Sequence, residues 1–179
     1  MATPARACSP DANLKIMPNI VLIGMPGAGK STVGVILAKY LSKDFVDTDL
    51  LIQNRRHHSL QDILDQYGYL KLREYEEQEI LRLHVKNAVV ATGGSAVYGE
   101  KTMKHLQAGG KIVYLKLGVN ELLKRIDNFE TRGLAKPKEQ SFHDLYQERE
   151  RLYERYAQIT INCADKNHEE VVEEIISKL

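Results

Sequence analysis

Ile20-Val21-Leu22-Ile23-Gly24-Met25-Pro26-Gly27-Ala28-Gly29-Lys30-Ser31 joins an apolar run, a glycine-rich octapeptide and the first residues of a helical pattern. Gly24–Ser31 matches G-x-x-x-x-G-K-[ST], and each residue type has a separate task on a polyphosphate. Glycines let the backbone curl so that successive N–H groups point inward at anionic oxygens. The helix that starts at the end of the loop adds its free N–H groups and its positive dipole end. Lys30 supplies a point charge to the β- and γ-phosphates, and the Ser31 hydroxyl is a hard oxygen ligand for a divalent cation. Gly27, Ala28, Gly29, Lys30, Ser31 and Thr32 are therefore the expected phosphate-binding residues.

Outward from this loop, strands and helices alternate. Asn19–Ile23 reads as a buried strand. Lys30–Leu41 reads as a helix presenting Val33, Ile36, Leu37 and Tyr40 on one face. A short strand Phe45–Asp47 precedes a helix over Asp49–Arg56. Ser59 and Asp62 form a capping box for a short helix through Leu64, followed by a longer charged helix over Leu70–His84. Ala88–Ala91 and Lys111–Leu117 read as strands, with a helix over Glu100–Leu106 between them. Asn120 is the expected cap of a helix ending near Ile126. Residues 127–140 lack apolar periodicity and carry Gly133 and Pro137, as a mobile surface segment would. Ser141 and Asp144 open a helix through Tyr156, then come a strand Ala157–Asn162 and a helix Glu169–Leu179. This alternation predicts an α/β fold, a three-layer α/β/α sandwich on a five-stranded parallel sheet, with the loop at the carboxyl end of its first strand.

The chain has 179 residues, with 25 Lys and Arg against 24 Asp and Glu, a formal net charge of +1. That balance argues against a nucleic-acid binder, whose footprint is a net basic surface. The two cysteines, Cys8 and Cys163, give neither a disulfide framework nor a metal-binding spacing, so a reducing cytoplasm is expected. No stretch approaches 18 consecutive apolar residues, so no membrane association is expected. Residues 1–17 lack an apolar core and read as a disordered leader or a start-site artefact, leaving 18–179 as a single domain. The six histidines show no ligand spacing with other donors and read as surface residues.

A phosphate loop specifies a nucleotide but not a reaction. The N/T-K-x-D element of GTPase switches is absent, and the strand Ala88–Ala91 ends in Thr92-Gly93-Gly94 with no acid to serve as a Walker B carboxylate. The acids stand instead after the second strand, as Asp47-Thr48-Asp49. Carboxylates at i and i+2 of a strand end point to opposite sides, so one can approach Mg²⁺ while the other reaches a neighbouring ligand.

From about Asn19 to its end the chain resembles the shikimate kinase family, small ATP-dependent kinases related to nucleoside monophosphate kinases. The resemblance is carried by the phosphate loop, Asp47-Thr48-Asp49, Gly68…Arg73-x-x-Glu76 and Thr92-Gly93-Gly94-Ser95-Ala96-Val97. It continues through Glu121-Leu122-Leu123-Lys124-Arg125, Arg132-Gly133-Leu134-Ala135 and Glu148-Arg149-x-x-Leu152-Tyr153. It implies a P-loop, nucleoside monophosphate kinase-like fold with acceptor-binding helices over about 48–84 and a lid over about 127–140. It further implies ATP as co-substrate, and Mg²⁺ held through Ser31 and Asp47. Asp49 would contact the acceptor hydroxyl, Arg73 and Arg149 its carboxylate, and Gly93 and Gly94 would line the acceptor pocket. Arg125 would lie beside the adenine, and Arg132 would close on the phosphates. Lys30, Asp49 and Arg132 are then the catalytic set.

Phosphoryl transfer spreads negative charge over equatorial oxygens, so Lys30, Mg²⁺ and Arg132 suit the γ-phosphate. Forked guanidinium contacts suit a carboxylate. Taken alone, Arg73 reads as a surface ion pair with Glu76 and Glu77, and Arg149 as part of a solvated helix face over Glu148–Arg151. Their order behind the phosphate loop is what raises them to acceptor ligands.

The acceptor half departs from the family pattern. Ser95 stands where a third glycine is usual, Leu64 and Leu72 where aromatics are, and Tyr69 at an acidic position. Gly133 and Arg151 each replace a proline. Aliphatic walls in place of aromatic ones change pocket shape more than they remove catalytic groups. The expected function is phosphorylation of the 3-hydroxyl of shikimate by ATP, in aromatic amino-acid biosynthesis, by a cytoplasmic monomer. Two alternatives are a relative acting on homoserine or gluconate, and a nucleotide-binding module without turnover.

Overall fold

The computed structural model describes residues 18–125, 134–137 and 139–179. Among these, five parallel strands form one sheet in the order β2-β3-β1-β4-β5. The strands are β1 (Asn19–Ile23), β2 (Asp44–Asp47), β3 (Ala88–Ala91), β4 (Gly110–Lys116) and β5 (Ile159–Asn162). β1 lies at the centre, between β3 and β4, and is buried along its whole length. The connection from β1 runs to one side, to β2, and the connection from β3 runs to the other, to β4, so a crevice opens at the carboxyl ends of β1 and β3, where ligands of such sheets bind. The phosphate loop occupies that crevice.

Helices cover both faces: α1 (Lys30–Leu41), α2 (Thr48–Arg56), α3 (Leu60–Leu81), α4 (Glu100–Gly109), α5 (Val119–Arg125), α6 (Phe142–Tyr156) and α7 (His168–Lys178), with a 3₁₀ turn at Ala96–Tyr98. The main core runs from Ile20, Leu22 and Val89 through Leu37, Leu115 and Leu145 to Val172. A second, smaller cluster of Ile52, Ile63, Leu72 and Ala135 lies beneath α2 and α3, with Leu60, Leu64, Tyr69 and Tyr75 packed against it. The leucines at the family's aromatic positions therefore belong to this satellite cluster. No described helix is long and apolar enough to cross a membrane.

Three local expectations are corrected. Tyr40 is 59% exposed, because the buried stripe of α1 runs through Val33, Gly34, Leu37 and Ala38 instead. The buried glycine and alanine let α1 approach the sheet closely. Asn120 does not cap α5: the helix begins one residue earlier, and the Glu121 carboxylate accepts from the Gly118 N–H at 3.2 Å. The two helices expected over Ser59–Leu64 and Leu70–His84 are both present within the run Leu60–Leu81 and meet at a kink, Gly68, whose φ of 80° and ψ of 169° are not helical. Nothing lies near the position of a Gly68 Cβ, so the backbone conformation, and not crowding, calls for glycine there. The second strand ends at Asp47 and Asp49 already lies in the first turn of α2, so their divergence arises from a strand-to-helix junction and not from strand alternation.

Candidate active site

The phosphate loop runs from β1 into α1, with Gly24, Gly27 and Gly29 at positive φ. Lys30 is 9% exposed and folds back over the loop, its Nζ donating to the carbonyl oxygens of Gly24 at 2.8 Å and Met25 at 2.9 Å. Ser31 and Thr32 sit exposed in the first turn of α1. Ser31 Oγ donates to Asp47 Oδ2 at 2.6 Å. The other Asp47 oxygen caps α2 through the N–H groups of Asp49 and Leu50. Arg125 ends α5, exposed, and close enough to Cys163 at the end of β5 to act on its thiol.

Asp49 enters a different space. One cavity is lined by Pro26 and Lys30 of the loop, Asp49, Leu72, Glu76, Gly93, Gly94, Leu134 and Arg149, among others. The structure thus brings Lys30, Asp49, both glycines and Arg149 together, while Arg73 lines an adjoining cavity that shares Glu76 and Ser95 with this one. Arg149 is 1% exposed, which overturns its reading as a solvated helix face. Its Nη2 donates to the Ala135 carbonyl at 2.9 Å, and Arg73 Nη2 donates to the same oxygen at 3.0 Å. The Arg73 guanidinium lies 3.7 Å from the Tyr98 ring centroid, so it is not a surface ion pair either. Two guanidiniums that converge on one carbonyl oxygen form a preorganised anion site. Arg132, assigned to the lid, falls among residues 126–133, outside the described residues.

Charge in this cavity is tightly coupled. Asp49 keeps partial exposure through the cavity but is otherwise enclosed by protein. That burial, with Glu76 and then Asp47 nearby, raises its pKa to about 7 against the pull of Lys30. Burial likewise lowers Lys30 to about 8, opposed chiefly by Asp49 and Glu76. Glu76 is 4% exposed, and burial raises its pKa, opposed by a hydrogen bond from Ser95 and by Arg149, Lys30 and Arg73.

Several functional residues escape the sequence. Glu76 was visible only as the end of Arg73-x-x-Glu76, yet it is the buried counter-charge to both arginines and Lys30. Thr48 Oγ1 accepts from the Gly93 N–H at 3.1 Å, tying the start of α2 to the glycine turn. Tyr153 donates to the Gly94 carbonyl at 2.7 Å, and Tyr98 stacks beneath Arg73. Glu76, Thr48 and Tyr153 lie inside quoted motifs that gave them no role, and Tyr98 lies outside every one of them.

A family model for shikimate kinase matches residues 26–179. The chain belongs to the shikimate kinase family. A shikimate kinase of Sulfurihydrogenibium sp. is 37% identical over 164 residues, covering 91% of this chain and 98% of that protein. Among solved structures, a shikimate kinase from Acinetobacter baumannii in complex with shikimate superposes with a TM-score of 0.84. It is 32% identical, and the match covers 90% of this chain and 92% of that one. The shikimate kinase from Aquifex aeolicus gives a TM-score of 0.77 at 31% identity, over 89% of this chain and 94% of that one. The α/β sheet and phosphate loop are therefore those of a P-loop kinase, and the departures at Leu64, Leu72 and Ser95 are variations within the shikimate kinase family.

Proposed function

We infer that this protein is an ATP:shikimate 3-phosphotransferase, which moves the γ-phosphoryl group of ATP to the 3-hydroxyl of shikimate and so serves aromatic amino-acid biosynthesis. The observation that carries this is the meeting of Asp49 and Arg149 in one cavity beside the phosphate loop, with the Arg73 guanidinium converging from its neighbour on the same Ala135 oxygen as Arg149. A hydroxylated carboxylic acid fills both requirements.

The roles follow from the chemistry of each group. Arg73 and Arg149 hold the acceptor carboxylate, and Gly93 and Gly94 leave room for the acceptor beside Asp49 and Arg149. Asp49 orients the acceptor hydroxyl and takes its proton late in transfer. Lys30 leaves its loop carbonyls for the β- and γ-phosphates, and Gly27–Thr32 donate backbone and hydroxyl groups to them. Arg125 flanks the adenine, and Arg132 adds positive charge over the phosphates. The donor set at Ser31 and Asp47, two hard oxygens 2.6 Å apart at the loop's edge, fits Mg²⁺. Such an ion supplies charge neutralisation across the β- and γ-phosphates. Every group invoked comes from one chain of near-zero net charge, which supports a monomer acting in the cytoplasm without a nucleic-acid partner.

An acceptor panel tests the assignment. Shikimate is expected to exceed homoserine and gluconate in kcat/KM by at least about 10³, the discrimination that buried polar recognition provides. A better turnover of either rival would replace shikimate as the substrate, and Mg·ATP binding with no turnover of any acceptor would favour a binding module.

The pKa shifts also fix a pH window. Asp49 must be ionised to accept a proton, and its folded-state pKa lies above the ordinary carboxylate value, at about 7. Activity is therefore lost as pH falls through about 7. Lys30 must be charged to hold phosphates, and its value lies below the ordinary amine value, at about 8. Activity is lost again as pH rises past about 8. A pH profile of kcat/KM, which reports the free enzyme, is expected to be a narrow bell between these limbs. A flat acid limb down to pH 5 would refute the role of Asp49.

A further inference from the structure

Glu76 is the most deeply buried acid of the cavity, and its two oxygens differ. Oε2 accepts a hydrogen bond from Ser95 Oγ, while Oε1 is buried with no protein partner. Both residues line the acceptor cavity. Gly93 lies between Glu76 Oε1 and Asp49 Oδ1, and a Cβ on Gly93 would collide with both. The glycine turn thus lets the two carboxylates approach each other, and Ser95 is the side chain that holds one of them in place. Ser95 is itself 6% exposed, so its hydroxyl has little access to water as an alternative partner.

We propose that Ser95, at the position where relatives are expected to carry a third glycine, is a positioning residue that fixes the Glu76 carboxylate so that Oε1 is presented to a hydroxyl of the acceptor. The proposal rests on the functional reading above and deepens it: the acceptor must carry, besides the hydroxyl at Asp49 and the carboxylate at the arginines, a further hydroxyl that donates to Glu76. A buried carboxylate with one satisfied and one free oxygen is costly unless a ligand donor completes it. A glycine at 95 would leave Glu76 free to swing toward Arg149 or Arg73, the nearest cations, and lose that orientation. The charged and titratable groups around Glu76 are Lys30 from α1, Asp49 from α2, Arg73 on its own helix, and Arg149 and Tyr153 from α6. None of these is a neutral hydroxyl donor of short reach, so none substitutes for Ser95. Losing the donor also favours the protonated form of Glu76, because a hydrogen bond to the charged form is removed while burial persists.

Ser95→Ala and Ser95→Gly test this, with thermal melting and Mg·ATP affinity as controls for folding. Both variants are expected to raise the KM for shikimate about 3- to 10-fold, the range of one net hydrogen bond, with the KM for ATP unchanged. Carbon-13 NMR of the Glu76 carboxyl in the ligand-free enzyme, assigned with Glu76→Gln, gives a readout independent of substrate. Its titration midpoint is expected to rise in both variants. An unchanged Glu76 midpoint or an unchanged KM for shikimate in the folded variants would overturn the proposal. A wild-type enzyme that turns over no shikimate would overturn the functional reading instead, while the NMR titration would still decide whether Ser95 holds Glu76.

Discussion

Asp49→Asn is expected to lower kcat by about 10²- to 10⁴-fold, the usual worth of a positioned general base. Asparagine keeps the size of the side chain and its ability to accept a hydrogen bond from the acceptor hydroxyl. It loses the ability to take the proton. Because Asp49 stands beside Glu76, with burial disfavouring its charge, the substitution also removes a like-charge neighbour from a desolvated site. The fold should therefore be no less stable, and the melting temperature no lower. Asp47, and not Asp49, bonds to Ser31, so the KM for Mg·ATP should stay within about twofold. Steady-state kinetics with both substrates varied separate these effects. Wild-type kcat in the folded variant would remove Asp49 from the chemistry.

Arg149→Lys is expected to act on the other end of the acceptor. Lysine keeps the charge that offsets Glu76 in the cavity but replaces a planar fork with a single ammonium. A hydrogen bond to a charged group is worth about 1.5–3 kcal/mol, so the KM for shikimate should rise about 10- to 100-fold. The reacting hydroxyl lies at Asp49, away from this contact, so kcat should fall far less. Alanine is the poorer probe. It would remove the cation that most opposes the raised pKa of the buried Glu76, and a donor to the Ala135 carbonyl, so lost stability would be confounded with lost binding. A KM for shikimate that survives Arg149→Lys unchanged would place the carboxylate elsewhere.

How much of this was legible in the chain depends on how local each feature is. The phosphate loop is encoded in consecutive residues whose glycines, lysine and serine each have one physical use, so it reads without a fold. The capping boxes at Ser59 and Asn167 and the cap at Ser141 are equally local; the sequence showed the first and last, and the structure adds Asn167. Asp47 and Asp49 were found, but the reason they diverge was misplaced, because sequence periodicity does not show where β2 gives way to α2. Asn120 was a plausible cap that lost to Gly118 and Glu121 one residue upstream.

The acceptor cavity was the least legible part. Arg73 and Arg149 share a carbonyl with Ala135, 62 and 14 residues away along the chain. Charge patterning alone placed both arginines in solvent, and only the ordered motif series corrected that. Ser95 reads as a substitution in a turn until it is seen against Glu76, 19 residues earlier. Tyr40 shows the same effect in reverse: a helical face drawn from apolarity alone ignored that small residues, Gly34 and Ala38, mark where α1 meets the sheet.

The most direct measurement is acceptor-dependent ADP release by the full chain with Mg·ATP, followed by identification of the product. Release that requires shikimate, with one phosphate found on its 3-hydroxyl, is the predicted result. Protein that is folded and binds Mg·ATP yet releases no ADP in response to shikimate would contradict the assignment.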